Sequence, residues 1–140
     1  MSQVDFYILP DSTPISRLQF ACRLIEKIFT LGHKIYVSMD QTDEINQIDK
    51  LLWTFRETSF IPHGFSNTKY LELTPVIIGP ANTSIQREVL INFCIQAPDS
   101  CNNFKRIVEV LNDQPHIKES GRQRYKQYCQ MNHEVITHHA

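Results

Sequence analysis

Apolar residues recur with two different periods in the first half of the chain. The β-branched and aromatic run at residues 4–9 predicts a strand. Between residues 18 and 29 the apolar positions return every three or four residues, which predicts an amphipathic helix. The pattern then repeats, with a strand at 34–39 and a helix at 45–55. This order predicts parallel strands that are joined by right-handed crossovers.

The second half of the chain continues with short apolar runs. Residues 75–79 and 89–95 predict strands without alternation, as expected for a sheet that is covered on both faces. Residues 107–110 suggest a fifth strand, although a helix also fits them, and 114–131 predict a helix that contains Gly121. We therefore expect a three-layer α/β/α fold with a mostly parallel sheet of about five strands.

Length and composition narrow the class of protein. The 140 residues suit one domain over residues 1–140, in which we expect 132–140 to be a flexible tail. The formal charge of -1 argues against a protein that holds nucleic acid mainly by neutralising phosphates. The four cysteines form no Cys-x-x-Cys pair, and no apolar stretch reaches the ~18 residues of a membrane span. We expect a cytoplasmic protein without metal, cofactor or membrane contact.

Many parallel α/β sheets bind nucleotides through glycine-rich loops, so the positions of the glycines indicate whether such a site is present. The chain has only four, and they form neither of the two glycine-rich phosphate-binding motifs. The turn after the first strand contains Pro10, Asp11 and Pro14. Prolines lack the N–H groups that would hold phosphate, and the carboxylate would repel it. The sheet is therefore Rossmann-like without a nucleotide-binding motif.

The densest apolar run of the chain extends from Ile48 to His63. It contains the only tryptophan, Trp53, and a Pro62-His63 turn. Large apolar residues at this density either fill a core or await a partner. His63 either bonds to the backbone or acts as a base in an enzyme, and the second role needs a nucleophile or a carboxylate beside it.

One face of the last predicted helix combines positive charge with an aromatic ring. Lys118, Arg122, Tyr125 and Lys126 project within an arc of about 100°, whereas Arg124 points elsewhere. The stripe is either an ordinary solvated face or a receptor for an acidic peptide, whose carboxylates the cations would hold. A third hypothesis is single-stranded nucleic acid, with a base stacked on the tyrosine.

Three groups of segments resemble, in order, the chi subunit of bacterial DNA polymerase III. The first is the strand at 5–9, which precedes the helix segment Ala21-Cys22-Arg23-Leu24. The second is the specific part, in which Ile48-Asp49-Lys50-Leu51-Leu52-Trp53-Thr54-Phe55 leads into Ser59-Phe60-Ile61-Pro62-His63. The third is Arg122-Gln123-Arg124-Tyr125-Lys126 on the last helix.

This resemblance implies a non-catalytic replication adaptor. Such proteins pair with the psi subunit, which tethers them to the clamp loader, and bind the acidic C-terminal tail of single-stranded DNA-binding protein. The contact with DNA is then mainly indirect. The positions that match the tail-binding residues are Lys118, Arg122, Tyr125 and Lys126. The positions expected on the psi-facing surface or its support are Trp53, Phe60, Ile61, Pro62 and His63.

Overall fold

A computed structural model of the chain describes residues 2–54 and 61–140. In this part of the chain there are seven strands, three α-helices and two short 3-10 turns. The strands are β1 (Gln3–Ile8), β2 (Ile35–Ser38), β3 (His63–Phe65), β4 (Val76–Gly79), β5 (Val89–Asn92), β6 (Arg106–Leu111) and β7 (Glu134–His139). The helices are α1 (Ser16–Thr30), α2 (Thr42–Thr54) and α3 (Pro115–Gln130), and the 3-10 turns are Leu71–Leu73 and Asp99–Asn103.

The strands form one sheet in the order β3-β4-β2-β5-β6-β1-β7, and every neighbouring pair is parallel. The predicted α/β class is confirmed, and the sheet is wholly parallel. In the described residues the sheet has seven strands, two more than the approximately five that the sequence predicts. The run at 107–110 belongs to strand β6, so the alternative of a helix there is excluded.

Helices cover both faces of the sheet and create two separate cores. Leu18 of α1 and Leu52 of α2 pack on one face, together with Val37 of β2. Tyr128 of α3 packs on the other face, together with Tyr36 of β2. Neighbouring residues of one strand thus enter opposite cores, which is why the central strands are apolar at successive positions.

Residues 132–140 do not form the flexible tail that the sequence predicts. Strand β7 occupies most of this segment and pairs with β1 from Gln3↔Glu134 to Ile8↔His139. The residues Thr-His-His in this strand are polar, so the pattern of apolar positions does not identify it. Part of what holds it is polar, since His138 Nε2 lies 3.0 Å from the Asp5 carboxylate.

The other missed strand is β3, at the opposite edge of the sheet. The sequence predicts a turn at Pro62-His63, whereas His63 is the first residue of a three-residue strand that pairs with β4. Three residues are too few to show the period-two alternation by which a strand is identified.

Helix α3 lies close against the sheet because of Gly121. A Cβ atom at this position would lie 2.5 Å from Cδ1 of Leu111 at the end of β6. Glycine destabilises the helix by roughly 1 kcal/mol relative to alanine, but it allows α3 to approach β6 closely. This contact fixes the distance between α3 and the floor of the site described next.

Candidate functional site

A groove of about 430 Å³ runs between α3 and the strands β1 and β7. We call it the α3 groove. Its floor contains Phe6, Ile8 and Leu111, and Thr137 of β7 lies on one side. The residues that α3 contributes are Glu119, Gly121, Arg122, Gln123, Tyr125 and Lys126.

The rotation of α3 about its axis is set by a buried polar cluster. Arg124 Nε donates to Oε1 of Glu109 at 3.0 Å, and both side chains are almost fully buried. The hydroxyl of Tyr128 donates to the other carboxylate oxygen at 2.7 Å, and Asn92 donates to that same oxygen at 2.9 Å. With Arg124 held inward, the neighbouring Arg122 points outward, as the helical spacing predicts.

Tyr125 forms a half-exposed wall of the groove. Its exposed fraction is 41%. The ring is tilted against Phe6, with 5.4 Å between the two centroids. This is an aromatic contact of ordinary geometry, and it leaves the outer part of the ring free for a ligand. The ring is therefore not sunk in the interior.

The cations of the predicted stripe are not equivalent. Arg122 and Lys126 line the groove, and the guanidinium of Arg122 lies 4.0 Å from the carboxylate of Glu119. Lys118 lies nearer the start of α3, beside a separate shallow depression, and pairs with Asp113 at 3.1 Å. The structure thus brings together Arg122, Tyr125 and Lys126 and leaves Lys118 at the periphery.

These groups suit a ligand that carries both negative charge and an apolar end. Phe6, Ile8 and Leu111 provide an apolar floor, while the two cations stand at the solvent side. Exposed cations hold carboxylates with little desolvation cost, so such a contact is weak and depends on salt. The sequence pattern misses Thr137 and Glu119, because neither is a cation or an aromatic residue.

A second surface surrounds β3, at the opposite edge of the sheet. Trp53 is 51% exposed, and its ring meets that of His63 edge-on, with centroids 5.0 Å apart. Ile61 is buried and Pro62 is half-buried. Phe60, also predicted for this surface, lies outside the described residues. Trp53 is therefore a surface residue against which the His63 ring packs, whereas Ile61 belongs to the core.

Sequence reasoning missed further apolar residues near β3. Phe65, Tyr70 and Leu73 have exposed fractions of 43%, 58% and 82%. We use the name β3 patch for these three residues and Trp53, which lie on β3 or on segments that flank it. The segment 66–73 predicts a loop, and the exposure of its large apolar side chains does not follow from its composition. Exposed apolar residues at this density mark interaction surfaces.

His63 is placed unlike a catalytic base. Its side chain is buried, with Nε2 at 2.7 Å from the Asp49 carboxylate and Nδ1 at 2.8 Å from the carbonyl of Ile61. Both nitrogens are therefore occupied. His63 also begins its strand, whereas ligands of parallel sheets bind at the carboxyl ends of strands. This placement counts against the hypothesis of an enzyme that uses His63, although a carboxylate, Asp49, does lie beside the ring.

A cavity of about 580 Å³ does open near the ends of β2 and β5. Two arginines line it, and both are engaged, Arg17 with the carbonyl of Val110 at 2.9 Å and Arg124 with Glu109. Burial raises the pKa of the Cys94 thiol in its wall to about 12, so this thiol is protonated at neutral pH. Burial therefore disfavours the thiolate, which is the nucleophilic form of this side chain.

Within residues 2–54 and 61–140, no three histidine, cysteine or acidic side chains are grouped so that they would hold a metal ion. Among the helices of the same ranges, none has the length and apolar character to cross a membrane.

The fold and the site together define a Rossmann-like α/β domain that carries a cationic, aromatic groove and no glycine-rich phosphate loop. Residues 1–136 match the family described as DNA polymerase III chi subunit, HolC. The chain belongs to this family, and the resemblance seen in the sequence is confirmed. It is thus related to a replication accessory subunit.

Three relatives have the same description, DNA polymerase III subunit chi. The protein from Pseudomonas aeruginosa is 33% identical over 142 residues, which cover 99% of this chain and 96% of that protein. The protein from Haemophilus influenzae is 30% identical over 125 residues, with 87% and 86% covered. The protein from Escherichia coli is 24% identical over 134 residues, with 91% of each covered.

Proposed function

We propose that this protein is a non-catalytic, cytoplasmic adaptor of chromosomal replication. It binds the psi subunit of DNA polymerase III, which links it to the clamp loader. It also binds the acidic C-terminal tail of single-stranded DNA-binding protein, so that its contact with DNA is mainly indirect. The observation that carries the proposal is the convergence of Arg122, Tyr125 and Lys126 on one apolar-floored groove.

An acidic tail that ends in an aromatic residue fits this groove in charge and in shape. Its terminal ring would pack against Tyr125 and Phe6, and its carboxylates would meet Arg122 and Lys126. Glu119 opposes the ligand's charge, so Arg122 exchanges the 4.0 Å contact with Glu119 for the ligand when the tail binds. Lys118 contributes only long-range attraction, because its ammonium group already pairs with Asp113.

The expected weakness of this contact suits an adaptor. The cations are exposed, so salt screens them, and the apolar floor is small. Many copies of single-stranded DNA-binding protein along one strand of DNA would present many tails. Avidity then supplies the strength that one tail lacks, while each contact remains quick to release.

The β3 patch is our candidate for the psi-binding surface. Trp53, Phe65, Tyr70 and Leu73 expose large apolar area at one edge of the sheet, at the other end of the strand order from β7. Aromatic anchors of this kind dominate the binding energy of stable protein interfaces. The two partners would therefore bind at opposite edges of the sheet and without competition.

Tail binding is tested by Arg122→Ala and Tyr125→Ala. We expect each to weaken binding of a synthetic acidic peptide with a C-terminal phenylalanine by about tenfold to a hundredfold, because a charge-assisted hydrogen bond or a ring contact is lost. Fluorescence anisotropy of the labelled peptide measures the affinity, and thermal unfolding verifies that the fold is retained.

Matched controls are Arg23→Ala and Tyr70→Ala, which remove an exposed arginine and an exposed tyrosine far from the groove. These should leave the peptide affinity unchanged. Equal affinity of the wild-type protein and both groove variants would refute the proposal. Saturable binding of a single-stranded oligonucleotide at physiological salt, without any partner protein, would instead favour the nucleic-acid hypothesis.

The psi surface is tested by Trp53→Ala. Truncation of a central aromatic anchor costs about 2 kcal/mol or more, so we expect at least a thirtyfold loss of affinity for purified psi subunit in calorimetry. The acidic peptide should bind this variant as well as it binds the wild-type protein. Tyr125→Ala is the reciprocal control, and it should lose the peptide and keep psi. An unchanged psi affinity in Trp53→Ala argues against the β3 patch.

A further inference from the structure

Strand β7 is the outermost strand of the described sheet on the side of the α3 groove. Its backbone bonds to β1 at alternate residues. The amide of Glu134 donates to the carbonyl of Ser2 at 3.2 Å, and the amide of Ala140 donates to the carbonyl of Ile8 at 3.0 Å. In a parallel pair of strands, alternate residues direct both their N–H and their C=O groups to the same neighbour. The even-numbered residues of β7 therefore bond to β1.

The odd-numbered residues of β7 therefore turn their backbone groups away from the sheet. Val135, Thr137 and His139 direct both N–H and C=O to the open side, where they can accept another strand. Proteins usually protect an exposed edge with charged side chains, proline or a bulge, and the sequence Glu-Val-Ile-Thr-His-His contains no proline or lysine and one acidic residue, Glu134.

This open edge is continuous with the α3 groove. Thr137 lines the groove and is the register partner of Phe6 in its floor. The side chains of the odd-numbered residues lie on the face of the sheet that α3 covers, because strand side chains alternate. A peptide that places its terminal ring on the groove floor can therefore continue past Thr137 and run along the edge of β7.

The charges of the two faces favour an acidic strand in this place. In an added strand, every second side chain would lie on the α3 face, beside the groove from which Arg122 and Lys126 reach solvent. The remaining side chains would lie on the opposite face, near the exposed carboxylate of Glu134 and near His138, whose imidazole already bonds to the Asp5 carboxylate. The cations thus select for acidic residues at alternate positions.

We propose that β7 receives the main chain of the acidic tail as an eighth strand, while the tail's terminal ring occupies the α3 groove. The inference rests on the proposed function and adds a mode of binding to it. Backbone hydrogen bonds from Val135, Thr137 and His139 supply affinity that does not depend on side-chain identity. Alternate acidic positions then supply specificity, as in other cases of strand addition.

Amide hydrogen exchange measured by NMR tests this arrangement directly. The probe is the acidic peptide with a C-terminal phenylalanine, added at saturation to the full chain. We expect exchange at the amides of Val135, Thr137 and His139 to slow by about tenfold or more, in proportion to occupancy. The amides of Ile136 and His138 already bond to β1 and should change little.

A second measurement changes only the peptide, so that folding of the protein is not at risk. Each residue upstream of the terminal phenylalanine is N-methylated in turn, which removes one main-chain donor. We expect affinity to fall by about fivefold to tenfold at every second position and to remain unchanged at the positions between.

The possible outcomes separate the two proposals. If the peptide binds and Arg122→Ala weakens its binding as expected, but no odd-numbered amide of β7 is protected, the added strand is refuted and tail binding stands. If the peptide does not bind the wild-type protein, both are refuted. If the same amides become protected without peptide as protein concentration rises, a second copy of the chain occupies the edge, and the inference is wrong.

Discussion

Replacement of Arg124 by methionine is expected to destabilise the protein by about 3–5 kcal/mol, the usual cost of removing one partner of a buried ion pair. The guanidinium of Arg124 lies against the Glu109 carboxylate, with exposed fractions of 3% and 0% for the two side chains. Without it, Glu109 keeps the donors Tyr128 and Asn92 and the more distant positive charge of Arg17. Such a charge is costly inside a core, so chemical denaturation should show a large loss in the free energy of unfolding.

Two further variants give this prediction its controls. Arg122→Met makes the same chemical change two residues away, on an arginine whose side chain is 69% exposed, and should change stability by less than about 0.5 kcal/mol. The double variant Arg124→Met/Glu109→Leu removes both charges and should recover part of the loss, because no unpaired charge remains. A small effect of Arg124→Met alone would show that the pair does not fix the seating of α3.

The architecture follows from the sequence because its signals are long and redundant. Helix α1 repeats its apolar positions over four turns, and the central strands are apolar at consecutive positions, which only a sheet covered on both faces explains. The alternation of strands and helices then leaves parallel pairing with crossovers as the simplest topology. None of these inferences needs a single exceptional residue.

The two edge strands could not be predicted from the same signals. β3 has three residues, and β7 is rich in histidine and threonine. An edge strand is buried on fewer sides, so its sequence need not be apolar. Part of what holds β7 is the bond between His138 and Asp5 and the stacking of His138 on Tyr7, with centroids 4.6 Å apart. Both contacts join residues more than 130 positions apart.

The sequence predicts which face of α3 carries the candidate site, but it does not predict all the residues that form the site. Helical spacing selects the stripe that contains Arg122, Tyr125 and Lys126, because periodicity determines which side chains share a face. Spacing says nothing about Asp113, which pairs with Lys118, or about Thr137, which comes from another element. The floor of the groove and the open edge of β7 exist only once the sheet has formed.

The second large effect is expected for Arg87→Ala, which should lower the free energy of unfolding by about 3 kcal/mol. The guanidinium of Arg87 is buried and donates to the carbonyls of Leu71 and Thr74 at 2.7 Å and of Pro75 at 2.9 Å. Burial lowers the pKa of Arg87, yet the group stays charged at neutral pH, so these are charge-assisted bonds. Without it, three carbonyls in the segment that carries Tyr70 lose a strong donor.

Lys34→Ala is the matched control, since Lys34 donates to the carbonyl of Glu72 in the same segment at 2.8 Å but does so in an exposed position. Water replaces such a donor, so the control should lose less than about 0.5 kcal/mol. Arg87→Lys keeps the charge without the planar fork and should fall between the two. If this segment supports the β3 patch, Arg87→Ala also weakens psi binding and leaves the affinity for the acidic peptide unchanged. An unaltered psi affinity would indicate that Tyr70 and Leu73 do not belong to the psi-binding surface.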